Sequence, residues 1–154
     1  MGFAACILVA FLFVSVYKWE NERVLDGGVA GEYVNGNASF LFCIDESGEN
    51  DGLFYARGWV MRQGVETASV DTQVALIDAD DHVWLMNTVM EKRDSVTQYY
   101  NDGVNYDNSG FYGSCKEKKL IGDETYEVGI VLVADGKKYL IKTGSMYQRS
   151  NAQS

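Results

Sequence analysis

The feature of this sequence that most limits its fold is a series of short apolar runs, each bounded by glycine, aspartate or asparagine. β-Branched and aromatic residues dominate the runs, which is typical of strands, and the chain contains no proline. The runs predict seven β-strands, at residues 39–45, 53–62, 71–78, 82–89, 110–120, 125–134 and 137–144.

The segments between the runs predict how the strands are joined. Asp135-Gly136 is a pair that tolerates positive φ and predicts a hairpin, and Ala79-Asp80 lies in an acid-rich tight turn. Because no long amphipathic helix interrupts the series, we predict an all-β protein, an antiparallel β-sandwich of about seven strands. One short helix is predicted at residues 95–102, with Ser95 as its N-cap and Gly103 at its end.

An uncharged apolar segment at residues 2–17 precedes the strands. As a helix it would be about 24 Å long, somewhat shorter than the ~30 Å hydrocarbon core of a bilayer. Tyr17 and Trp19 supply interfacial aromatic rings, and Lys18 supplies a cation. We predict that residues 1–19 form an apolar helix that contacts the membrane, as an anchor or an uncleaved signal. A cleaved signal peptide and a buried core element are the alternatives.

The rest of the chain divides into three predicted parts. Residues 20–38 are polar and rich in glycine without either secondary-structure period, so they predict a flexible linker. Residues 39–144 hold the strands as one β-sandwich domain, and residues 145–154 form a polar tail. An apolar run directly after Met1 suggests that a basic leader is missing, and on that hypothesis the domain is extracytoplasmic.

Charge and cysteine content limit the partners and the compartment. The formal net charge of -9 excludes nucleic acid as a partner, because phosphate binding needs a basic face. Cys43 and Cys115 are the only cysteines in the predicted domain. A disulfide between them would fit an oxidising compartment. Two buried free thiols that pack as small hydrophobic side chains are the open alternative.

Three segments resemble a known family: ARGWVMRQGVETASVDTQVALID, KRDSVTQYYNDGVNYDNSGFYG and TYEVGIVLVADGKKYLIKTG. Over residues 39–144 the chain is similar to the immunoglobulin-like accessory domains that accompany bacterial cell-surface glycan enzymes. Ser95 stands where an acid is usual in that family. The resemblance implies an immunoglobulin-like β-sandwich at the cell surface, and it brings no catalytic site. The matching residues are Gly58, Trp59, Arg93, Ser109, Gly110 and Phe111.

The stretch NDGVNYDNSGFYGSC, residues 101–115, has two interpretations. In the first it is a structural lock, in which Arg93 reaches Asp107 or loop carbonyls, and Gly110 lets Phe111 enter the core. Ser95 would cap the helix that precedes it. The lock is favoured because polar loop residues most often bond their own backbone.

In the second interpretation the same stretch binds a ligand. Tyrosine rings would stack on sugar rings, while acid and amide side chains would supply hydrogen bonds or oxygen ligands for calcium. The oxygen spacing matches no EF-hand loop, so we predict no metal site. The candidate residues are Tyr99, Tyr100, Asp102, Asn105, Tyr106, Asp107, Asn108 and Tyr112.

Catalytic chemistry has little support in the sequence. His82 is the only histidine, and no nucleophile motif surrounds a serine or cysteine. Trp59 and Trp84 fall within predicted strands and are expected in the core. The acids Asp45, Glu46, Glu49 and Asp51 predict a solvated turn.

These observations predict a protein that is not an enzyme and has no cofactor. We interpret it as a membrane-tethered extracytoplasmic binding or interaction module, with cell-surface carbohydrate as the first candidate ligand. The alternative is a structural or assembly subunit that engages a protein partner through exposed strand edges. A glycan hydrolase is the third and least favoured interpretation, because no spacing places two carboxylates across one cleft.

Overall fold

The computed structural model describes residues 23–67, 71–120 and 125–149. These residues form nine strands and one α-helix, α1, at Asp94–Tyr100. Three short 3-10 helices lie at Ala30–Glu32, Asp107–Ser109 and Glu117–Lys119. The strands are β1 (Val24–Val29), β2 (Val34–Asn35), β3 (Leu41–Asn50), β4 (Leu53–Met61), β5 (Thr72–Ile77), β6 (His82–Glu91), β7 (Gly110–Lys116), β8 (Thr125–Ala134) and β9 (Lys137–Gln148).

The all-β class predicted from the sequence is confirmed, and each of the seven predicted strands is present. β8 has the predicted bounds, residues 125–134. Two hairpin turns have the Asp-Gly pair that favours positive φ at both positions. The φ values are 52° and 70° at Asp51-Gly52, and 51° and 71° at Asp135-Gly136. The acids at 45, 46 and 49 belong to β3 rather than to the solvated turn that was predicted.

The strands form one continuous mixed sheet in the order β2-β9-β8-β5-β6-β7-β4-β3, with β1 paired to β6 off this path. Only the short pairing of β2 with β9 is parallel among the pairs in these residues. β6 links the two halves of the sheet, because Val83 to Leu85 pair with β5 and Asn87 to Glu91 pair with β7. The sheet therefore curls, and its two halves cover a common core.

The core contains side chains from both halves of the curled sheet. β4 and β7 supply residues from one half, and β5, β8 and β9 supply residues from the other. The close approach of the halves is visible at Val74, whose N–H donates to Thr88 Oγ1 at 2.9 Å. Fully buried side chains of this core include Phe54, Leu76, Met86, Phe111, Tyr126, Ile130 and Ile141.

Two strands lie in the segment that was predicted to be a linker, residues 20–38. β1 pairs with β6, and β2 pairs with β9. β1 contains two consecutive glycines, so its sequence has no strand period, and its pairing with β6 is what orders it. A Cβ on Gly27 would lie 2.8 Å from the carbonyl oxygen of Val83, which explains the need for glycine there.

The sheet also extends into the segment predicted to be a polar tail, residues 145–154. β9 continues to Gln148, and Tyr147 is buried with its ring centroid 4.0 Å from that of Phe54. The predicted membrane contact at residues 1–19 lies outside the described residues. Within those residues no helix is both long enough and apolar enough to cross a bilayer.

Of the two alternatives for Cys43 and Cys115, the structure has free thiols rather than a disulfide, and only Cys115 is buried as that alternative expects. Cys43 is opposite Trp59 on β4, whereas Cys115 is opposite Phe54 on the same strand. Five residues separate those two β4 positions, so the cysteines lie about 17 Å apart along the strands and on opposite faces. Cys43 is exposed, while burial raises the pKa of the Cys115 thiol to about 12.

Candidate functional site

The start of α1 is set by the loop that follows it. Arg93 occupies the N-cap position without a side-chain capping bond, and its N–H donates to the carbonyl oxygen of Asp107 at 2.6 Å. The N–H of Val96 then donates to the carbonyl oxygen of Arg93 at 3.1 Å. The helix therefore begins at Asp94, and Ser95 lies inside it rather than at the N-cap position that the sequence predicts.

The end of α1 comes two residues earlier than predicted. Asn101 has φ of 44° and takes the left-handed C-cap position, and its N–H donates to the carbonyl oxygen of Thr97 at 3.0 Å. Asparagine tolerates this conformation better than most residues with a side chain. Gly103 also has a positive φ, of 84°, but it lies in the loop beyond the helix.

Tyr106 fastens the loop between α1 and β7 from the inside. Its side chain is fully buried, and its hydroxyl donates to Asp102 Oδ2 at 2.6 Å and accepts from the N–H of Gly64 at 2.8 Å. Its own N–H donates to Thr97 Oγ1 at 2.8 Å. Burial raises the pKa of Tyr106, and the bond from Tyr106 lowers the pKa of Asp102. Tyr106 therefore has a structural role and presents no face to a ligand.

The polar side chains of the loop bond to the loop itself. Asp102 Oδ1 accepts from the N–H of Val104 at 3.1 Å, and Asn105 Oδ1 accepts from the N–H of Asp107 at 2.9 Å. Asp107 Oδ1 accepts from Thr97 Oγ1 at 2.7 Å, which lowers the pKa of that carboxyl group. The bonded atoms match the lock interpretation of this stretch. No group of three or more potential metal ligands occurs among the residues that the structure describes.

Asn108 is exposed in the 3-10 turn at Asp107–Ser109. Arg93 was expected to reach Asp107 or loop carbonyls, but its Nη2 lies 2.7 Å from Asp45 Oδ2 on β3. Lys92 is the side chain that faces Asp107, at 3.4 Å. The Arg93 guanidinium therefore connects the start of α1 to β3, the end strand of this half of the sheet.

Gly110 and Phe111 lead the chain from the loop into the core. Phe111 is fully buried, as the lock interpretation expects. Gly110 has φ of -77°, so positive φ is not the reason for glycine at this position. A Cβ on Gly110 would collide with Arg93 Cγ and would lie 2.6 Å from the carbonyl oxygen of Glu91. Close packing against the end of β6 requires the glycine.

An aromatic cleft of about 300 Å³ lies beside this lock, lined by Trp59, Ser95, Val96, Tyr99 and Tyr100. Tyr99 is 83% exposed. The ring centroids of Tyr99 and Tyr100 are 5.2 Å apart at an interplanar angle of 79°. Trp59 lies 6.1 Å from Tyr100 at 75°. The three rings therefore expose faces and edges in different directions around one concave surface.

Trp59 is only half-buried, although its place in a predicted strand suggested a core position. It packs at the margin of a small buried cluster of Met61, Val96 and Tyr106. The alternation of residues along β4 would have predicted this position. Phe54, Ala56, Gly58 and Val60 are buried, so Trp59 lies on the outward face of the strand. Tryptophan and tyrosine at a surface combine an apolar ring with a polar group, which is why both are enriched at binding interfaces.

Cys43 lies at the same end of the sheet, opposite Trp59 in register. Although Cys43 is exposed, desolvation of its thiol and then Asp45 raise the pKa of that thiol, so it stays protonated at neutral pH. A protonated thiol is a poor nucleophile. Cys43 therefore offers no reactive thiolate beside the aromatic cleft.

The remaining candidates bond to other groups of the fold. His82 Nε2 lies 2.9 Å from Asp26 Oδ1, and its ring centroid is 4.4 Å from that of Trp84. Trp84 is half-buried at the edge of the main core, and its Nε1 donates to Asp78 Oδ2 at 2.9 Å. The only histidine of the chain thus forms a contact between β6 and β1.

A second cleft of about 280 Å³ lies between the end of β4 and the hairpin of β8 and β9. Arg62 Nη1 donates to Asp135 Oδ2 there at 2.6 Å, and its guanidinium carbon lies 4.8 Å from the centroid of the Phe40 ring. Arg62 is thus held by groups of the fold itself. The aromatic cleft, with its more exposed rings, is the stronger candidate for a ligand site.

No protein-family model, curated protein or solved structure matches this chain. The candidate site is therefore identified from the geometry of the aromatic cleft.

Proposed function

We propose that this protein is a carbohydrate-binding module and that the aromatic cleft is its binding site. The observation that carries the proposal is the placement of Tyr99, Tyr100 and Trp59 around one shallow surface, with Tyr99 83% exposed. Sugar rings have apolar faces and polar edges, and aromatic side chains at a polar surface match both. Tyr99 is exposed while Trp59 and Tyr100 are partly exposed, so the three rings leave aromatic surface that a ligand can cover.

Polar groups of the cleft suit the edges of a sugar. Ser95 lines the cleft, and the ion pair of Arg93 with Asp45 lies near Cys43 at the same end of the sheet. Tyr99 and Tyr100 also line the cleft, and their hydroxyl groups can donate and accept hydrogen bonds. Since the net charge is -9, the ligand that fits best is an uncharged glycan.

The two halves of the curled sheet are proposed to be the layers of an immunoglobulin-like sandwich. Both halves bury side chains in one core, and β6 passes from one to the other. This arrangement supports the proposal because a sandwich also packs two sheet faces on one core. The parallel pairing of β2 with β9 is an addition to the antiparallel pattern of such domains.

Residues 2–17 are proposed to tether this module to a membrane with the sheet outside the cytoplasm. The support is the uncharged apolar run itself, flanked by Tyr17, Lys18 and Trp19. We expect the full chain to remain with the membrane fraction after cell lysis and the chain beginning at Arg23 to remain soluble. Recovery of both forms in the soluble fraction would contradict the tether.

Glycan binding is tested with the full-length protein in detergent on an array of neutral and charged glycans. Tyr99→Ala is expected to weaken binding to a neutral glycan by about fivefold to tenfold, the loss that corresponds to one aromatic contact. Because Tyr99 is 83% exposed, the melting temperature of the Tyr99→Ala variant should be nearly equal to that of the wild type.

Tyr99→Phe is the matched control, since it keeps the ring and should keep most of the affinity. Equal binding by wild type and Tyr99→Ala would contradict the proposed site. Failure of the wild type to bind any glycan would contradict the proposed function, and the ten-residue end strand β3 would then be the place to seek a protein partner.

A further inference from the structure

The position of α1 determines the shape of the aromatic cleft. Four of the five side chains that line the cleft come from α1, and the fifth, Trp59, comes from β4. α1 has seven residues and no side-chain capping bond at its N-terminus. An isolated helix of that length is unstable in water, so α1 depends on contacts with the rest of the fold.

Two aspartates take part in the contacts that hold α1 to the loop after it. We call Thr97, Asp102, Tyr106 and Asp107 the carboxylate latch. Asp107 Oδ1 accepts from Thr97 Oγ1 at 2.7 Å, and that hydroxyl oxygen accepts from the N–H of Tyr106 at 2.8 Å. Asp102 Oδ2 accepts from the Tyr106 hydroxyl at 2.6 Å, and the same hydroxyl accepts from the N–H of Gly64 at 2.8 Å. The latch therefore joins α1, the loop that follows it and the segment after β4.

Other charged groups near Asp107 come from the end of β6, from α1 and from β3. Lys92 Nζ lies 3.4 Å from Asp107 Oδ2, but the Lys92 side chain is largely exposed. The Arg93 guanidinium is held by Asp45, at 2.7 Å. Asp94 lies in the first turn of α1, where a carboxylate favours the helix. Lys92 is therefore the cation that favours the ionised form of Asp107.

Both carboxyl groups of the latch accept hydrogen bonds in the ionised form. The bond from Thr97 is the main cause that lowers the pKa of Asp107, and the bond from Tyr106 is the main cause that lowers the pKa of Asp102. Tyr106, whose ring centroid lies 6.0 Å from that of Tyr100, is the titratable group that faces Asp102. Because an aspartate in an unfolded chain has a pKa of about 3.9, these bonds stabilise the closed latch above that pH. The stabilisation decreases as the pH falls below about 4, since the open latch then binds protons more readily than the closed one.

We infer that the carboxylate latch regulates the aromatic cleft, and that acid opens the latch and releases α1 from its place beside Trp59. The inference rests on the proposed function and adds regulation of the same site. Trp59 contacts α1 through Tyr100, with ring centroids 6.1 Å apart, so release of α1 separates the rings of the cleft. The apparent affinity of a site decreases with the fraction of molecules in which the site is formed. Carbohydrate binding therefore weakens below about pH 4.

The test measures amide hydrogen exchange of the full-length protein in detergent by nuclear magnetic resonance, from about pH 7 to about pH 3, corrected for the intrinsic pH dependence of exchange. The Tyr106 N–H reports on the latch, and the N–H of Ile130, a fully buried residue of β8, reports on the sheet. We expect protection at Tyr106 to be constant down to about pH 5 and to fall about tenfold by about pH 3. Ile130 should stay protected over the same range.

Asp107→Asn imitates the protonated acid at neutral pH. Protection of the Tyr106 N–H should already be lower in this variant at about pH 7, and its further fall in acid should be smaller, because one of the two titrating groups is absent. Thr97→Ser is the matched control, since it keeps the hydroxyl that Asp107 and Tyr106 use. Its pH profile should match that of the wild type.

Loss of protection at Tyr106 and Ile130 at the same pH would overturn the inference, because acid would then unfold the whole sheet. A pH profile of Asp107→Asn equal to that of the wild type would overturn it as well. The glycan array is repeated at about pH 7 and about pH 3.5, and undiminished binding at the lower pH would also contradict regulation by the latch. Absence of glycan binding at both pH values would refute the proposed function, and the exchange measurements would still decide whether acid opens the latch.

Discussion

Replacement of Tyr106 by alanine is expected to lower the melting temperature by about 10 °C or more. Truncation of a fully buried aromatic ring removes its packing energy and leaves a cavity. The change also removes the hydroxyl between Asp102 and the N–H of Gly64, so a carboxylate and a backbone donor both lose a partner. The measurement is thermal unfolding followed by circular dichroism.

Tyr99→Ala is the matched control, because both tyrosines belong to the same segment and differ in exposure. Tyr99 is 83% exposed, so its truncation should change the melting temperature by no more than about 2 °C. Glycan binding should show the opposite order, with the larger direct loss in Tyr99→Ala at temperatures where both variants are folded. If Tyr106→Ala melts with the parent protein, the assignment of Tyr106 to the structural lock is wrong.

Replacement of Gly113 by alanine is expected to cost about 1–3 kcal/mol of folding free energy. A Cβ at Gly113 would lie 2.5 Å from both Cβ and Cγ2 of Val74, which is on the opposite half of the curled sheet. The Cβ of Val74 belongs to a core strand and cannot rotate away. The two halves must therefore separate, or β7 must shift, and either change loosens the common core. Urea unfolding measures the loss.

Gly31→Ala is the control for the Gly113 variant. A Cβ at Gly31 would have no neighbour within 4 Å. Its free energy of unfolding should be unchanged or higher by less than about 1 kcal/mol, because alanine reduces the freedom of the unfolded chain. Equal stability of Gly113→Ala and Gly31→Ala would show that the two halves of the sheet do not touch at Val74 as described.

The structural lock and the aromatic cleft both involve residues of α1. Val96 on the inner side of α1 is buried with Tyr106, whereas Tyr99 is exposed and lines the cleft together with the partly buried Tyr100. A residue of the lock can therefore reduce ligand binding without touching the ligand, because it holds α1 against Trp59. For this reason Tyr106 variants alone cannot separate the two interpretations of residues 101–115, whereas Tyr99 variants can.

Several features of this protein were determined by the sequence itself. The seven predicted strands and the short helix follow from local properties, namely β-branched and aromatic runs, turn pairs such as Asp135-Gly136, and the absence of proline. These signals act over a few residues, so a strand or a hairpin turn can be predicted without knowing what it packs against. For β8 these local signals predicted both ends of the strand, Thr125 and Ala134, correctly.

Other features were decided only by the tertiary structure. β1 is a strand because β6 offers it a partner, and Cys43 and Cys115 remain apart because odd spacing along β4 places them on opposite faces. Tyr99 and Tyr106 are the same residue type in one short segment, yet one is exposed and the other fully buried. Burial and pairing depend on residues distant in sequence, and local pattern contains no information about which of those residues will be near.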